Sequence, residues 1–405
     1  MTGAMDEPPA QPSFHVANHR LTLLDTGPRR LRALIELIDG AARSLRILYY
    51  IYEDDSAGRA VRTAVIAAKR RGVDVAMIVD GLGSEHAASR DFFDPIQAAG
   101  IEMCRFLPRW GRQYLVRNHQ KLAIADEKRV ILGGFNIKAD YFGVPGEDGE
   151  AWRDLGLLVE GPAASHIAGY FDGLAVWARH EGAPVRALNR LIKSWSEQTG
   201  QVRWLLGGPT RRLSPWARCV KHEIDAGRRI DMIAAYFAPT IGMLRRLRRA
   251  GERGPVRIVL PSATDNYMAI WASRFTYRRL LKRGVAIYEY QPTKLHTKLF
   301  VIDDVVHIGS ANFDVRSLFL NMEVMLRIED AAFAAHVRGY FEGEVAASQE
   351  ITAEEHRART RWWMRVQQAV AYFMMAVVDL RVTRGVSLGQ RIPWRSRRDT
   401  SLPER

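Results

Sequence analysis

The chain has 405 residues, with 59 Lys and Arg against 45 Asp and Glu, a formal net charge of +14 at pH 7. Hydrophobic residues make up 47% and charged residues 26%, which excludes bulk disorder, and the length suits two or three domains of about 100–200 residues. Two cysteines, Cys104 and Cys219, exclude a disulfide framework and point to a reducing compartment, while the basic excess calls for an acidic partner: nucleic acid, anionic membrane or phosphorylated substrate.

Residues 1–17 lack the basic and apolar regions of a secretory signal, and their prolines and acids predict a flexible lead-in. A first unit is expected over residues 18–190. Within it, Ala41–Tyr52 reads as a helix end followed by a strand, and Val73–Asp80 as a strand after a basic helix. NHQKLAIADEKRVILGGFN follows at Asn118–Asn136, and GYFDG at Gly169–Gly173. The polar, helical stretch Ala183–Gly200 marks the expected boundary.

A second unit is expected over residues 191–350, and it repeats these signals. Ala226–Phe237 and Val256–Leu260 match the early strands, LHTKLFVIDDVVHIGSANFD at Leu295–Asp314 matches the long motif, and GYFEG stands at Gly339–Gly343. The two motif histidines lie 177 positions apart and the glycines 170, so the first half carries about seven extra residues. The loop Gly143–Glu150 is the natural place for them. Strands alternating with helices predict an α/β protein of two homologous domains, each a mostly parallel mixed sheet flanked by helices.

No run approaches the roughly 20 apolar residues needed to span a bilayer. Residues 351–385 predict an amphipathic helix in which Trp363, Val366, Val370, Phe373, Val377 and Leu380 share one face. From His356 onward there are eleven arginines, no lysine and three acids. Such a stripe suits either the domain core or an anionic lipid interface. Residues 386–405 read as a polar tail.

His119 and Lys121 are one residue apart in a predicted strand, so they share a face, as do His296 and Lys298. A lysine beside each histidine argues against a metal and for an anion. Two lysines suit the nonbridging oxygens of one phosphate, with Asn136, Ser310 and Asn312 as neutral donors. Two histidines flanking phosphorus permit a double displacement, one attacking while the other protonates the leaving alkoxide. Asp126 and Asp303, seven residues past their histidines, fall on the opposite strand face and fit a role in the following turn. Asp154 and Glu323, at corresponding positions of the two halves, are the expected orienting partners of the imidazoles.

These residues resemble the HKD motifs of the phospholipase D superfamily over roughly Asn18 to Gln349. The match includes the Arg-Ser pair and Leu-Asn-x-Glu of Arg316, Ser317, Leu320, Asn321 and Glu323. The chain is especially similar to bacterial cardiolipin synthases, here without the N-terminal spans of the longer ones. The resemblance implies the catalytic set His119, Lys121, Asp126, His296, Lys298 and Asp303, with the first-half histidine as nucleophile. It implies phosphatidyl transfer between phosphatidylglycerol molecules, releasing glycerol, through a phosphohistidine and without metal or other cofactor. The expected setting is the cytoplasmic face of a bacterial inner membrane, held peripherally by the C-terminal helix. The chain is expected to act as a monomer and not on nucleic acid. The rival readings are a phospholipase D-type hydrolase and a nucleic-acid phosphodiesterase. Two departures stand out: six residues separate Asp126 from Gly133 but five separate Asp303 from Gly309, and Gly134 stands where the second half has Ser310.

Overall fold

A computed structural model describes residues 11–88, 91–106, 116–144, 151–180, 183–210 and 212–378. Two eight-stranded mixed sheets form the frame. The first runs Ser13–Val16, His19–Leu24, Gly156–Glu160, Arg129–Gly133, Leu122–Ala125, Ser44–Tyr49, Asp74–Asp80, Glu102–Phe106. The second runs Val202–Gly207, Glu323–Glu329, Val305–Gly309, Lys298–Ile302, Ile230–Ala234, Val256–Pro261, Val285–Tyr290, Ser348–Glu350. Places two to seven of the second sheet repeat places three to eight of the first, so the internal duplication is a duplication of topology.

The expectation of mostly parallel sheets needs correction. Only three strands in each sheet run parallel, Ser44–Tyr49 with Asp74–Asp80 and Glu102–Phe106, and Ile230–Ala234 with Val256–Pro261 and Val285–Tyr290. Helical crossovers such as Ser56–Arg70 join these strands. The motif strands instead form tight hairpins, which force antiparallel pairing. In the first half three residues close the hairpin between Ala125 and Arg129, with Asp126 and Glu127 at φ of +55° and +59°. In the second, Asp303 and Asp304 close it between Ile302 and Val305, with Asp303 at +48°. The one-residue spacing difference is therefore the length of this turn. Asp tolerates the left-handed region better than most residues, because its short side chain bonds locally.

A second correction concerns the start of the chain. Residues 13–16, expected in the flexible lead-in, form the edge strand of the first sheet by pairing with His19–Leu24. Phe14 then packs against Phe333 and His336 of the second half, with ring centroids 5.7 and 4.7 Å apart.

A central apolar core drawn from both halves fills the space between the sheets, around helices Pro162–Arg179 and Ala331–Ala346. These helices carry the repeated GYF triplets, and Tyr170, Phe171 and Phe341 are fully buried. Two outer cores belong to one half each.

The C-terminal region is two helices, Ala353–Arg359 and Trp362–Phe373, and a π-turn over Met374–Val378. The second helix lies on helix Tyr267–Leu281 through Gln368, Ala371 and Tyr372. Tyr372 stacks on Phe275 at 4.9 Å and donates to the Pro239 carbonyl at 2.7 Å. The predicted apolar stripe is on the other side. Trp363, Val366, Val370 and Phe373 are 42%, 54%, 55% and 50% exposed. Leu380, the polar tail and most of the loop Gly143–Glu150 lie outside the described residues. Among the described residues, no helix is long and apolar enough to cross a membrane.

Candidate active site

The two halves are stitched together by backbone at one place each. Lys294 and Leu295 pair in parallel with Trp152 and Arg153, and Asn118 bridges Met322. The His296 amide donates to the Arg153 carbonyl at 2.7 Å, and the His119 amide to that of Met322 at 2.9 Å. Each histidine thereby stands beside the carboxylate that follows the paired segment of the other half. His296 Nδ1 meets Asp154 Oδ2 at 2.7 Å, and His119 Nδ1 meets Glu323 Oε2 at 3.1 Å. The orienting carboxylates are exchanged between halves.

Both histidines are buried, His119 at 9% and His296 at 4% exposure. With Nδ1 engaged, the Nε2 atom of each ring is the nitrogen left for chemistry. The lysines lie beneath. Lys121 Nζ donates to the His119 carbonyl at 2.6 Å, and Lys298 Nζ to the His296 carbonyl. Burial pushes Lys121 well below the ordinary lysine range and Lys298 down to about 8. Burial likewise lowers both histidines; the nearby lysines add to this, and Glu323 and Asp154 oppose it. Burial alone would raise Asp154, but Lys298 and His296 hold its carboxyl below the usual range. With neutral imidazoles, two lysines balance two carboxylates. A phosphodiester monoanion adds one negative charge, so its arrival favours protonation of one histidine.

Aromatic rings wall the cleft. Tyr50 lies 5.1 Å from His119, with Lys121 Nζ 5.2 Å from its centre. Tyr141 and Trp152 stand edge-on to His296 at 5.1 and 5.2 Å. The residue between each His and Lys is tied to a repeated tyrosine of the central helices. Gln120 Nε2 donates to Tyr170 at 2.8 Å, and Thr297 meets Tyr340 at 3.2 Å. Arg30, 1% exposed, holds the carbonyls of Tyr141 and Asp154.

Three expected residues do other work. Ser310, expected on the phosphate, donates to Glu323 Oε2 at 2.5 Å, and Ser317 donates to Oε1 at 2.8 Å. Its hydroxyl proton is spent on fixing the carboxylate. Asp126 and Asp303, in the implied catalytic set, are away from the histidines, at the hairpin ends of the motif strands. Asp126 accepts from the amides of Ala42, Arg43 and Ser44, and Asp303 from those of Arg228 and Arg229. The Asp126 turn lies about 16 Å along the strand from Lys121, at about 3.3 Å per residue. Asn136 accepts from the Ile51 amide at 3.2 Å, and the Asn312 Oδ1 is buried with no partner among the described residues.

Gly134 explains the other departure. A Cβ there would lie 2.5 Å from Asp154 Oδ1. The first half pairs a glycine with the shorter Asp154, and the second a serine with the longer Glu323.

The sequence matches the family model described as "cardiolipin synthase, PLD-like domain" over residues 34–175 and 220–345. The chain belongs to the phospholipase D superfamily. The cardiolipin synthase model and the relatives that follow mark it as a phospholipid phosphatidyltransferase. It is 30% identical over 352 residues to cardiolipin synthase A of Pseudomonas entomophila, covering 84% of this chain and 72% of that one. It is 29% identical to the enzyme of the same name from Pseudomonas aeruginosa over 353 residues, covering 85% and 71%. In fold it is similar to the crystal structure of phosphatidylserine synthase from Haemophilus influenzae, with a TM-score of 0.70 at 12% identity, over 93% and 96% of the two chains.

Proposed function

We propose that the chain makes cardiolipin from two phosphatidylglycerol molecules, releasing glycerol, at the cytoplasmic face of a bacterial inner membrane. The observation that carries the reading is the pair of Nδ1–carboxylate contacts, which leaves the Nε2 atom of each buried histidine for chemistry beside a buried lysine. The names of the sequence relatives support the substrate.

In the first step the phosphodiester binds with its nonbridging oxygens on Lys121 and Lys298. Neutral His119 attacks phosphorus through Nε2, forming a P–N bond as the P–O bond to glycerol breaks. Protonated His296 gives its Nε2 proton to the departing alkoxide. In the second step a glycerol hydroxyl of another phosphatidylglycerol gives its proton to His296 and attacks phosphorus. The P–N bond then breaks and His119 is restored. Glu323 and Asp154 hold the ring orientations and stabilise each transient imidazolium. Asn136 and Asn312 supply neutral donors. The aromatic walls exclude bulk water, which favours an alcohol acceptor over hydrolysis. One chain completes the site, so the monomer is active. The exposed stripe of the C-terminal helix holds it to the bilayer.

Purified protein with phosphatidylglycerol vesicles tests this. Cardiolipin and glycerol in equal amounts are expected, with a phosphorylated protein trapped after acid quench that His119→Ala abolishes. Phosphatidic acid as the sole lipid product replaces transfer with hydrolysis. Cleavage of DNA without lipid turnover rejects the lipid substrate.

A further inference from the structure

Helices Tyr267–Leu281, Ala353–Arg359 and Trp362–Phe373 enclose a cavity of about 360 Å³, away from the catalytic cleft. Arg278, Arg279, Lys282, Arg357 and Arg365 line it, and no carboxylate does. Glu289 is paired with Arg274 at 2.8 and 2.9 Å, and Glu355 sits in a helix cap with Thr352. None of the five cations has a carboxylate partner among the described residues. Arg279 is held against the Phe275 ring at 4.9 Å, which fixes its position and leaves its charge. Gln368 also lines the cavity, is 4% exposed, and has no hydrogen-bond partner among the described residues. Like charges held together are unfavourable, and one anion with several acceptor oxygens relieves that while accepting from the Gln368 amide.

Place selects among anions. The helix that closes the cavity turns Trp362, Val366, Val370 and Phe373 outward on its far side. An interfacial helix sinks its apolar face about 5–10 Å into the headgroup boundary, and a helix is about 10 Å across. With the stripe in the bilayer, the cavity sits in the headgroup layer.

We propose that this cavity is a second lipid site, separate from the catalytic cleft, which takes the phosphodiester of an anionic bilayer phospholipid. The site rests on the membrane reading above. The arginines and Lys282 take the phosphate oxygens, and the Gln368 amide donates to one of them. No bond is made or broken there; occupancy fixes the second half against an anionic surface.

The test uses the full chain carrying His119→Ala, so that lipid is not consumed. Binding is measured to pure phosphatidylglycerol vesicles, pure phosphatidylcholine vesicles and duplex DNA. The cavity variant is Arg278→Gln/Arg279→Gln/Arg365→Gln, and the stripe variant Val366→Ser/Val370→Ser/Phe373→Ser. The cavity variant should bind phosphatidylglycerol at least about tenfold more weakly and phosphatidylcholine unchanged. Lysine at the same three positions should restore binding, which a merely structural role would not allow. With His119 restored, the cavity variant should turn over a soluble short-chain phosphatidylglycerol at the parental rate. Unchanged phosphatidylglycerol binding by the cavity variant overturns the second site, and the membrane reading then stands if the stripe variant is weakened on both vesicles. A stripe variant that binds both vesicles normally overturns the membrane reading itself. Release of the parent by millimolar inorganic phosphate, down to the cavity variant's level, overturns a lipid ligand in favour of free phosphate. A cavity variant that loses DNA binding while keeping vesicle binding overturns it in favour of nucleic acid.

Discussion

Replacing the two orienting carboxylates by their amides should have unequal costs, and the reason is in their second bonds. Glu323 accepts from His119 and Ser310 on Oε2, and from Ser317 on Oε1. In Glu323→Gln the amide oxygen can stay at the ε2 place. The new NH2 then faces the Ser317 hydroxyl, which can turn and accept. Geometry survives and only charge is lost. Reducing a charge-assisted hydrogen bond to a neutral one costs about 1–2 kcal/mol, or about 5- to 30-fold in rate. Asp154 offers no such escape. It accepts from His296 on Oδ2 and from the Leu155 amide on Oδ1 at 2.7 Å, and a backbone N–H cannot turn. In Asp154→Asn the NH2 must face one of two donors. The added cost of a buried unpaired donor is about 1–3 kcal/mol, roughly a further 5- to 150-fold. Adding Ser317→Ala to Glu323→Gln removes the one acceptor for the new NH2. The double variant should fall toward the level of Asp154→Asn, by more than Ser317→Ala lowers the parent. The assay is initial cardiolipin formation in mixed micelles at saturating lipid, with melting temperatures as the control for folding. A double-mutant cycle with no coupling between positions 317 and 323 would refute the reasoning.

In the proposed mechanism Lys298 holds the phosphate as a cation, and its lowered value of about 8 makes that proton easy to lose. The kcat/KM of transfer should fall as pH rises through about 8, with the limb in kcat displaced upward because bound phosphate restores the lysine charge. The unfolded chain keeps that proton to about 10.4, so the contribution of Lys298 to stability increases between about pH 8 and pH 10.4, as chemical denaturation at fixed ionic strength can check. Gly134→Ser should drive Asp154 off His296 and lower activity about a hundredfold; adding Asp154→Glu copies the second half's pairing and should recover most of it, measured as cardiolipin formed per folded protein. Asp126→Asn should lower stability by about 2 kcal/mol in urea titration and leave kcat within about twofold. Backbone amides hold the Asp126 carboxyl below the usual range against the opposing effect of burial, so its stabilisation is present above about pH 4 and is lost as pH falls below that.

The residue types at the site were legible because the duplication prints each twice. One His-x-Lys in a strand means little; two, each leading into an apolar strand and Gly-x-x-Asn or its equivalent, predict a two-sided phosphate site. The exchange of Asp154 and Glu323 between halves was not legible. It follows from two backbone pairings, Leu295 with Arg153 and Asn118 with Met322, that join positions about 140 and 200 residues apart. Tyr50 and Tyr141 carried no signal, since ILYYIY and ADYF read as ordinary apolar segments. The bond from Ser310 to Glu323 was not legible, because a hydroxyl beside a phosphate site and a hydroxyl behind a carboxylate look alike in a sequence. The parallel sheet was overextended from the strand-helix-strand starts of each half to the hairpins, whose turns begin with Asp126 and Asp303. The stripe in the C-terminal helix had the period of a core helix, and only its docking through Ala371 and Tyr372 reveals that it faces out.

The exchanged carboxylates also bear on how such a chain is made. During synthesis the first half emerges with His119 in place but with nothing to hold its ring or steady an imidazolium. The second half, folding alone, has His296 in the same condition. A nascent chain, a truncated one or a misdocked pair therefore carries a mute histidine in each half it has, rather than a weak lipase. The same interlock means that the halves cannot drift apart in evolution independently. A change at position 154 is read by a histidine in the other half.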